Sequence, residues 1–313
     1  MLDLPVERVN QVKPFSVTGV EFAGPFLMTN RRARGTSSYK VYVCLFVCFA
    51  VKAIHLEIAF SLSTDSFLSA LRRFVARQGR CSLLFSDCST NFLGASRELE
   101  HHMQLAAEQE KIKWSFNPSS APHFGGLWES GVKLFKTYLR RVVGDQILLI
   151  EDFSTVSAQI EAVLNSRPLC PISTDPSDLE VLSPGHFLTM KPLVSIPSPD
   201  LTQLPLNRLS RWQLIQRIHQ DFWKRWHQEY FHTLQQRPKW WSQTNTVHEG
   251  SLVLIKDENA SPLRRRQKRI EKLHPGSDGV PRVATVRVAD GSLLRLLVNL
   301  CPLPMGKPPE NSL

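Results

Sequence analysis

The chain has 313 residues, and its 42% apolar content is enough for two folded units with connections between them. Lys and Arg exceed Asp and Glu by 38 to 28, so the net charge of +10 favours a polyanionic partner such as nucleic acid. A basic surface that serves only solubility is the alternative. The six cysteines lack zinc-ligand and disulfide-framework spacing, which favours a reduced intracellular setting. The longest apolar run, 41–51, is too short for a bilayer, so we expect no membrane partner.

Strand-like and helix-like patterns alternate over the first 166 residues, which predicts an α/β fold with helices packed on a mixed sheet. The predicted strands are 17–26, which ends at Gly24-Pro25, then 41–51, 54–60, 82–85 and 112–116. The predicted helices are one capped by Ser63 or Thr64 and ended by Gly79, then 95–110, 127–143 and 151–165.

The second half begins with residues 168–205, which are rich in proline, lack periodicity and predict a connector. A long basic amphipathic helix follows and ends before Pro238. Its aromatic residues are interpreted as packing side chains, with a platform for stacking bases as the alternative.

The last 70 or so residues predict a small β module with strands at 252–255, 283–288 and 293–298. A hairpin signal, Ala289-Asp290-Gly291, separates the last two strands. The basic run at 264–269 contains Arg264, Arg265, Arg266, Lys268 and Arg269. A solvated loop, a phosphate-binding patch and a nuclear-import signal all fit this run.

Three carboxylates stand where a nucleic-acid phosphoryl transferase would need them. Such chemistry uses two divalent ions about 4 Å apart, and Mg²⁺ prefers oxygen ligands on rigid elements. Glu21 lies in the first predicted strand, Asp87 follows the fourth, and Glu129 lies in the first turn of a helix after two glycines. Two strand ends and a helix start can converge, so these three residues are the candidate catalytic and metal-binding set.

The helix that carries Glu129 also carries three cations on the same face. Lys133, Lys136 and Arg140 follow Glu129 at spacings of four, three and four residues. A metal-binding acid beside a stripe of cations is suited to holding a phosphodiester backbone. The alternative is an ordinary surface helix in which Glu129 and Lys133 form an ion pair.

Several ordered segments resemble the signature blocks of retroelement integrases, most closely those of the Bel/Pao retrotransposons. The three main blocks are Gly19-Val20-Glu21-Phe22-Ala23-Gly24-Pro25-Phe26, Ser86-Asp87-Cys88-Ser89-Thr90-Asn91-Phe92 and Ala121-Pro122-His123-Phe124-Gly125-Gly126-Leu127-Trp128-Glu129. Asn165-Ser166-Arg167-Pro168-Leu169 and Leu182-Ser183-Pro184-Gly185-His186-Phe187-Leu188 are similar to downstream blocks of that family, and 247–303 is similar to its small C-terminal domain.

This resemblance implies a ribonuclease-H-like mixed sheet flanked by helices, then a helical connector and a small β-barrel-like domain. The implied division is a catalytic core at 1–168, a Pro-rich connector at 169–206, a long helix at 207–240 and a β domain at 246–305. It also implies an Asp, Asp, Glu triad holding two Mg²⁺ or Mn²⁺ ions for DNA integration by 3′-end processing and strand transfer. The implied partners are the DNA ends of the element, target duplex and further copies of the chain. DNA as substrate places the protein in the nucleus, with a cytoplasmic particle as the alternative.

The sequence departs from the family pattern at four places. Glu21 replaces the first Asp, which displaces the carboxylate by about 1.5 Å, whereas catalytic placement tolerates about 0.5 Å. Cys88-Ser89 replaces Asn-Gly, Arg265 and Lys268 replace Trp and Gly, and the preceding zinc module is absent. Three hypotheses follow: a transferase that still works, an inactive remnant that binds DNA, and a domain co-opted for protein interaction.

Overall fold

The computed structural model describes residues 13–31, 35–103, 112–116, 135–144, 146–173, 175, 178–234, 247–256, 261–263, 265, 267–277, 279–288 and 291–303. The chain divides into two compact units. The first comprises Met1–Asn165 with Leu206–His219, and the second comprises Ser166–Pro205 with Gln220–Leu313. The implied four-part division of the chain stays a prediction.

A mixed sheet forms the centre of the first unit. Its strands are β1 (Val17–Thr29), β2 (Tyr39–Cys48), β3 (Ile54–Ala59), β4 (Leu83–Ser86), β5 (Lys113–Phe116) and β6 (Leu148–Leu149). The order is β3-β2-β1-β4-β5, and β6 pairs with β1. The pairs β1–β2 and β2–β3 are antiparallel, whereas β4 and β6 run parallel to β1, and β5 runs parallel to β4. Residues of both faces of β2 are buried, as expected for a strand covered on both sides.

Helices accompany this sheet: α1 (Thr64–Gln78), α2 (Thr90–Met103), α3, whose described residues are 135–143, and α4 (Ile150–Asn165). The Ser63 hydroxyl caps α1 by accepting a hydrogen bond from the Ser66 backbone N–H, and Gly79 ends the helix with a φ of 84°. The predicted mixed sheet flanked by helices is confirmed for this unit.

Several boundaries differ from the prediction by a few residues, including those of β1 and of the second helix. β1 does not end at Gly24-Pro25 but continues to Thr29, because the register to β2 shifts between Ala23 and Phe26. A bulge of this kind accommodates a proline, which has no N–H to donate to the neighbouring strand. The second helix begins at Thr90 and not near residue 95.

The outer edge of β3 is covered by side chains of α4. The Asn165 side-chain amide both accepts from the Ile54 N–H (2.8 Å) and donates to the Ile54 carbonyl (2.7 Å). A Glu161 carboxylate oxygen accepts from the Leu56 N–H at 2.7 Å. Because these groups would otherwise be open to another strand, the two side chains protect the edge of the sheet.

The second unit contains a five-stranded antiparallel sheet. It begins with β7 (Cys170–Pro171), β8 (Val181–Leu182) and α5 (His186–Thr189), and it includes α6 (Arg211–Leu234) from Gln220 onward. The sheet strands are β9 (Leu252–Ile255), β10 (Gln267–Pro275), β11 (Pro281–Val288), β12 (Gly291–Leu296) and β13 (Leu300–Pro302), in the order β12-β11-β10-β9-β13. The predicted C-terminal β structure is confirmed as an antiparallel sheet, and β10 and β13 are strands that were not predicted.

Buried apolar residues hold this sheet together in two clusters. One is formed by Val253, Ile255, Ile270, Ala284, Val286 and Leu300, and the other by Phe231, Leu252, Leu254, Cys301 and Leu303. Phe222 and Trp226 of α6 are also buried, in line with their interpretation as packing residues, whereas Trp212 is exposed. No helix within the described ranges is long and apolar enough to cross a membrane.

Candidate metal and nucleic-acid site

The two candidate acids of the first unit lie near the same end of two adjacent strands. β1 and β4 are parallel, with Val17 opposite Leu83 and Gly19 opposite Phe85. Glu21 lies two positions beyond Gly19 on β1, and Asp87 lies two positions beyond Phe85, directly after β4. Adjacent parallel strands bring residues at the same end near one another, and a shared site for the two carboxylates stays a prediction.

Glu21 faces the side of the sheet on which α3 lies. Its neighbour Phe22 points to the opposite face, where its ring packs edge-on against Phe67 of α1 at 6.1 Å. The Lys136 ammonium group of α3 donates a hydrogen bond to Glu21 Oε1 and forms an ion pair with it. The side chains of Glu21 and Lys136 are 24% and 32% exposed, so solvent and ligands can reach the pair.

A second cation fixes the same helix to the same strand. Arg140 lies one helical turn beyond Lys136, and its Nη2 donates to the Gly24 carbonyl at 2.8 Å. Arg140 is otherwise exposed. The predicted stripe on this helix therefore lies along β1 at Lys136 and Arg140, whereas Glu129 and Lys133 lie outside the described residues.

Asp87 is held in a tight local turn. Its Oδ1 accepts hydrogen bonds from the Ser89 backbone N–H (3.1 Å) and from the Ser89 hydroxyl (2.6 Å). The neighbouring Ser86 hydroxyl donates to the Asp87 carbonyl and accepts from Trp114 Nε1, both at 2.9 Å. Ser89 thus orients the Asp87 carboxylate, and the Asp87 side chain is exposed.

The described residues do not fit a two-ion centre. Within the described ranges, no group of three or more His, Cys, Asp or Glu side chains is arranged to hold a metal ion. Glu21 is already neutralised by Lys136, and one oxygen of Asp87 is hydrogen-bonded to Ser89. The third predicted ligand, Glu129, lies outside the described residues, so the predicted metal set stays a prediction.

Two arginines of the basic run, Arg265 and Arg269, form hydrogen bonds within the second unit. The Arg265 guanidinium donates to the Ser166 carbonyl at 2.7 Å and lies over the rings of Trp223 and Trp226 at 4.7 and 5.3 Å. Burial, with a smaller contribution from the nearby Arg167, lowers the Arg265 pKa to about 9.

Arg269 is only 6% exposed. Its guanidinium donates to the carbonyls of Gly250 (3.0 Å), Ser173 (3.3 Å), Asp175 (2.6 Å) and Asp178 (2.9 Å). Arg265 and Arg269 therefore donate to groups of the protein itself, and the predicted phosphate contacts of the basic run stay a prediction. Lys268 is half-buried on β10, and Arg264 and Arg266 lie outside the described residues.

A buried charged cluster in the first unit was not predicted. Glu57 of β3 is 4% exposed and accepts hydrogen bonds from His55 Nε2 (2.8 Å), Arg73 Nε (2.7 Å) and Arg77 Nη1 (2.5 Å). His55 Nδ1 also contacts Glu161 Oε1 at 3.3 Å. Burial alone would lower the His55 pKa, but hydrogen bonds to Glu161 and Glu57 raise it to about 9. Burial opposes ionisation of Glu57, yet His55 and Arg73 hold its pKa below the ordinary value.

The sequence does contain a signal for this cluster. His55 and Glu57 alternate on a strand, so they share a face, and Arg73 and Arg77 are one turn apart on the next helix. A charged pair on an otherwise apolar strand indicates that a partner lies opposite, although the pattern does not say which element supplies it. The helix α1 supplies it here.

The C-terminal part of the chain matches a family model. Residues 210–303 match the family of unknown function DUF5641, which is less than half of the chain. No curated protein matches the chain.

Solved structures give weak matches. One is to the simian T-cell lymphotropic virus intasome in complex with the PP2A regulatory subunit B56 gamma, at 13% identity and a TM-score of 0.41, covering 94% of this chain and 81% of that chain. Another is to the HTLV-2 integrase catalytic core domain with magnesium in its trimeric form, at 15% identity and a TM-score of 0.35, covering 51% and 91%. The dimeric form gives 17% identity and a TM-score of 0.34, covering 49% and 88%. These TM-scores are too low to indicate a function for this chain.

Proposed function

We propose that this chain is a DNA-binding protein derived from a Bel/Pao-type integrase, with impaired metal-dependent strand transfer. The observation that supports the proposal most is the contact of two cations of α3 with β1, Lys136 with Glu21 and Arg140 with Gly24, near the end of β4 that Asp87 follows. The ordered sequence blocks supply the integrase ancestry. A DNA substrate, self-association and nuclear localisation belong to the same proposal.

Binding of DNA by this site is electrostatic. The exposed Arg140 lies one helical turn from Lys136, which contacts Glu21, and it has donors beyond the one given to Gly24, so it can contact a phosphate at this end of β1. Such a contact positions the duplex without reading its sequence. The excess of ten positive charges over the whole chain increases the encounter rate with DNA.

The first test measures how duplex binding depends on salt. Arg140→Gln removes one phosphate contact, so the plot of log binding constant against log salt concentration becomes shallower by about 0.9. We expect weaker binding to duplexes of every sequence at low salt. Fluorescence anisotropy of a labelled duplex over a salt series measures both quantities.

Arg72→Gln is the matched control, because Arg72 is an exposed arginine on α1, which packs on the opposite face of the sheet. It removes the same charge from the chain but should leave the salt slope unchanged. Equal slopes for the native chain and Arg140→Gln would contradict binding along α3, and binding that does not respond to salt would contradict the proposal as a whole.

The second test addresses the first acid. With Mn²⁺ or Mg²⁺ and a duplex that ends like the donor DNA, we expect only slow formation of strand-transfer product by the native chain. Glu21→Asp shortens the side chain by one methylene, and a placement error of that size costs about 100-fold in rate. We therefore expect a product from Glu21→Asp at a rate at least about 100-fold above that of the native chain.

Glu21→Ala and the double variant Glu21→Asp with Asp87→Asn are the controls, and both should be inactive because each lacks one carboxylate. A native chain as fast as Glu21→Asp would show that Glu21 serves as well as aspartate. In that case the impaired part of the proposal would be discarded and an active transferase would take its place.

A further inference from the structure

We propose that Lys136 is the resident cation of this site and that its ammonium group replaces a metal ion beside Glu21. The inference rests on the proposed descent of the site from a metal-dependent enzyme, but not on DNA binding. Its starting point is the disagreement between the described residues and a two-ion centre. A positive charge lies against the first acid, and that charge belongs to a side chain of the protein.

The contact is a charge-assisted hydrogen bond. Lys136 Nζ donates directly to Glu21 Oε1, and both side chains are more than half shielded from solvent. Partial burial reduces screening by water, so the attraction is stronger here than between fully exposed charges. The carboxylate therefore has its negative charge balanced without any ligand.

The substitution at position 21 and the lysine contact belong together. A glutamate carboxylate reaches about 1.5 Å further from the strand than an aspartate carboxylate, and in this site it reaches toward α3. Arg140 holds the same helix to the Gly24 carbonyl one turn further on. Two contacts four residues apart thus fix α3 against β1 and keep the Lys136 side chain over Glu21.

A fixed ammonium group opposes a divalent or trivalent ion at the same carboxylate in two ways. It occupies Oε1, one of the two carboxylate oxygens that could bind the ion, and it repels the incoming charge at short range. Metal binding then requires Lys136 to move away. Removal of its charge should therefore raise the metal affinity of the native fold.

Terbium luminescence measures this affinity without relying on enzyme activity. Tb³⁺ takes carboxylate oxygens, and Trp114 can sensitise it, because its indole N–H is bonded to Ser86 beside Asp87. We expect weak binding by the full native chain and an affinity at least about tenfold higher for Lys136→Met. Lys40→Met is the matched control, since Lys40 is an exposed lysine on β2, and it should bind as weakly as the native chain.

Lys136→Arg keeps the cation and should retain the weak affinity of the native chain, whereas Lys136→Gln should match Lys136→Met. Adding Asp87→Asn to Lys136→Gln should abolish the gain. Far-UV circular dichroism identifies any variant that fails to fold. If one of the two neutral variants, Lys136→Met or Lys136→Gln, is unfolded, the terbium affinity of the other one tests the inference. An unchanged terbium affinity in a folded Lys136→Met or Lys136→Gln chain overturns the inference.

The salt series with duplex DNA separates this inference from the proposed function. A salt slope that responds to Arg140→Gln, with terbium affinity unchanged in both neutral Lys136 variants, would leave DNA binding standing and remove the resident cation. The reverse pattern, a terbium gain without DNA binding, would support the resident cation and contradict the proposed function.

Discussion

Glu57→Gln should lower the free energy of unfolding of the first unit by about 1–3 kcal/mol, because the carboxylate is buried but its two arginine partners are 41% and 58% exposed and partly screened by solvent. The Glu57 side chain is 4% exposed, and its carboxylate forms ion pairs with His55, Arg73 and Arg77. An amide of the same shape removes the negative charge and turns one acceptor into a donor. It thereby leaves a protonated imidazole and two guanidinium groups close together. Urea unfolding followed by circular dichroism measures the loss.

Glu151→Gln is the matched control, because Glu151 also pairs with an arginine, Arg211, but its side chain is 78% exposed. Solvent screens that pair, so its loss should change stability little. A Glu57→Gln chain as stable as Glu151→Gln would contradict a structural role for the buried cluster.

The same variant should also change the pH dependence of stability. His55 has a folded pKa of about 9, above its ordinary value of 6.5. Its contribution to stability is therefore complete below about pH 6.5 and is lost as the pH rises through about 9. Glu57→Gln removes a carboxylate that raises this pKa, so stability should fall less steeply between those pH values than in the native chain.

Arg269→Met should destabilise the second unit by about 3–5 kcal/mol, since it removes a buried charged donor group that serves several acceptors. Arg269 donates to carbonyls of Gly250, Ser173, Asp175 and Asp178, which belong to segments far apart in the sequence. Without the guanidinium these carbonyls lose their donor. We expect faster amide hydrogen exchange in the two peptides 170–182 and 247–256, measured by mass spectrometry.

Arg269→Lys is the matched control, because it keeps the positive charge but has three donors in place of a planar fork of five. It should recover part of the protection and not all of it. Peptides of β2, which lies in the first unit, provide the internal reference and should exchange as in the native chain. Unchanged exchange in 170–182 would show that Arg269 does not anchor this segment.

Much of the fold could be predicted from local patterns. The apolar run at 41–51 predicts an inner strand, and β2 lies between β1 and β3. Ser63 and Gly79 predict the ends of α1, because capping and positive φ are properties of single residues. The continuation of β1 past Pro25 was missed, since the bulge depends on the pairing with β2.

The basic run at 264–269 shows where local reasoning fails. Six consecutive residues with five cations look like one surface feature, but Arg265 and Arg269 point into the second unit. Their burial depends on carbonyls at Ser166 and at 173–178, about 90 to 100 positions earlier in the chain. No pattern within the run reports on groups that far away.

The sequence by itself determined the mixed sheet, the β module and the candidate acids Glu21 and Asp87, because strand and helix periodicities and short motifs are local. Only the tertiary structure decided which charges those acids meet. Lys136 contacts Glu21 across 115 positions, and Arg73 contacts Glu57 from another element. Coulombic interactions and hydrogen bonds act over a few ångströms in space, so they depend on how elements pack and not on distance along the chain.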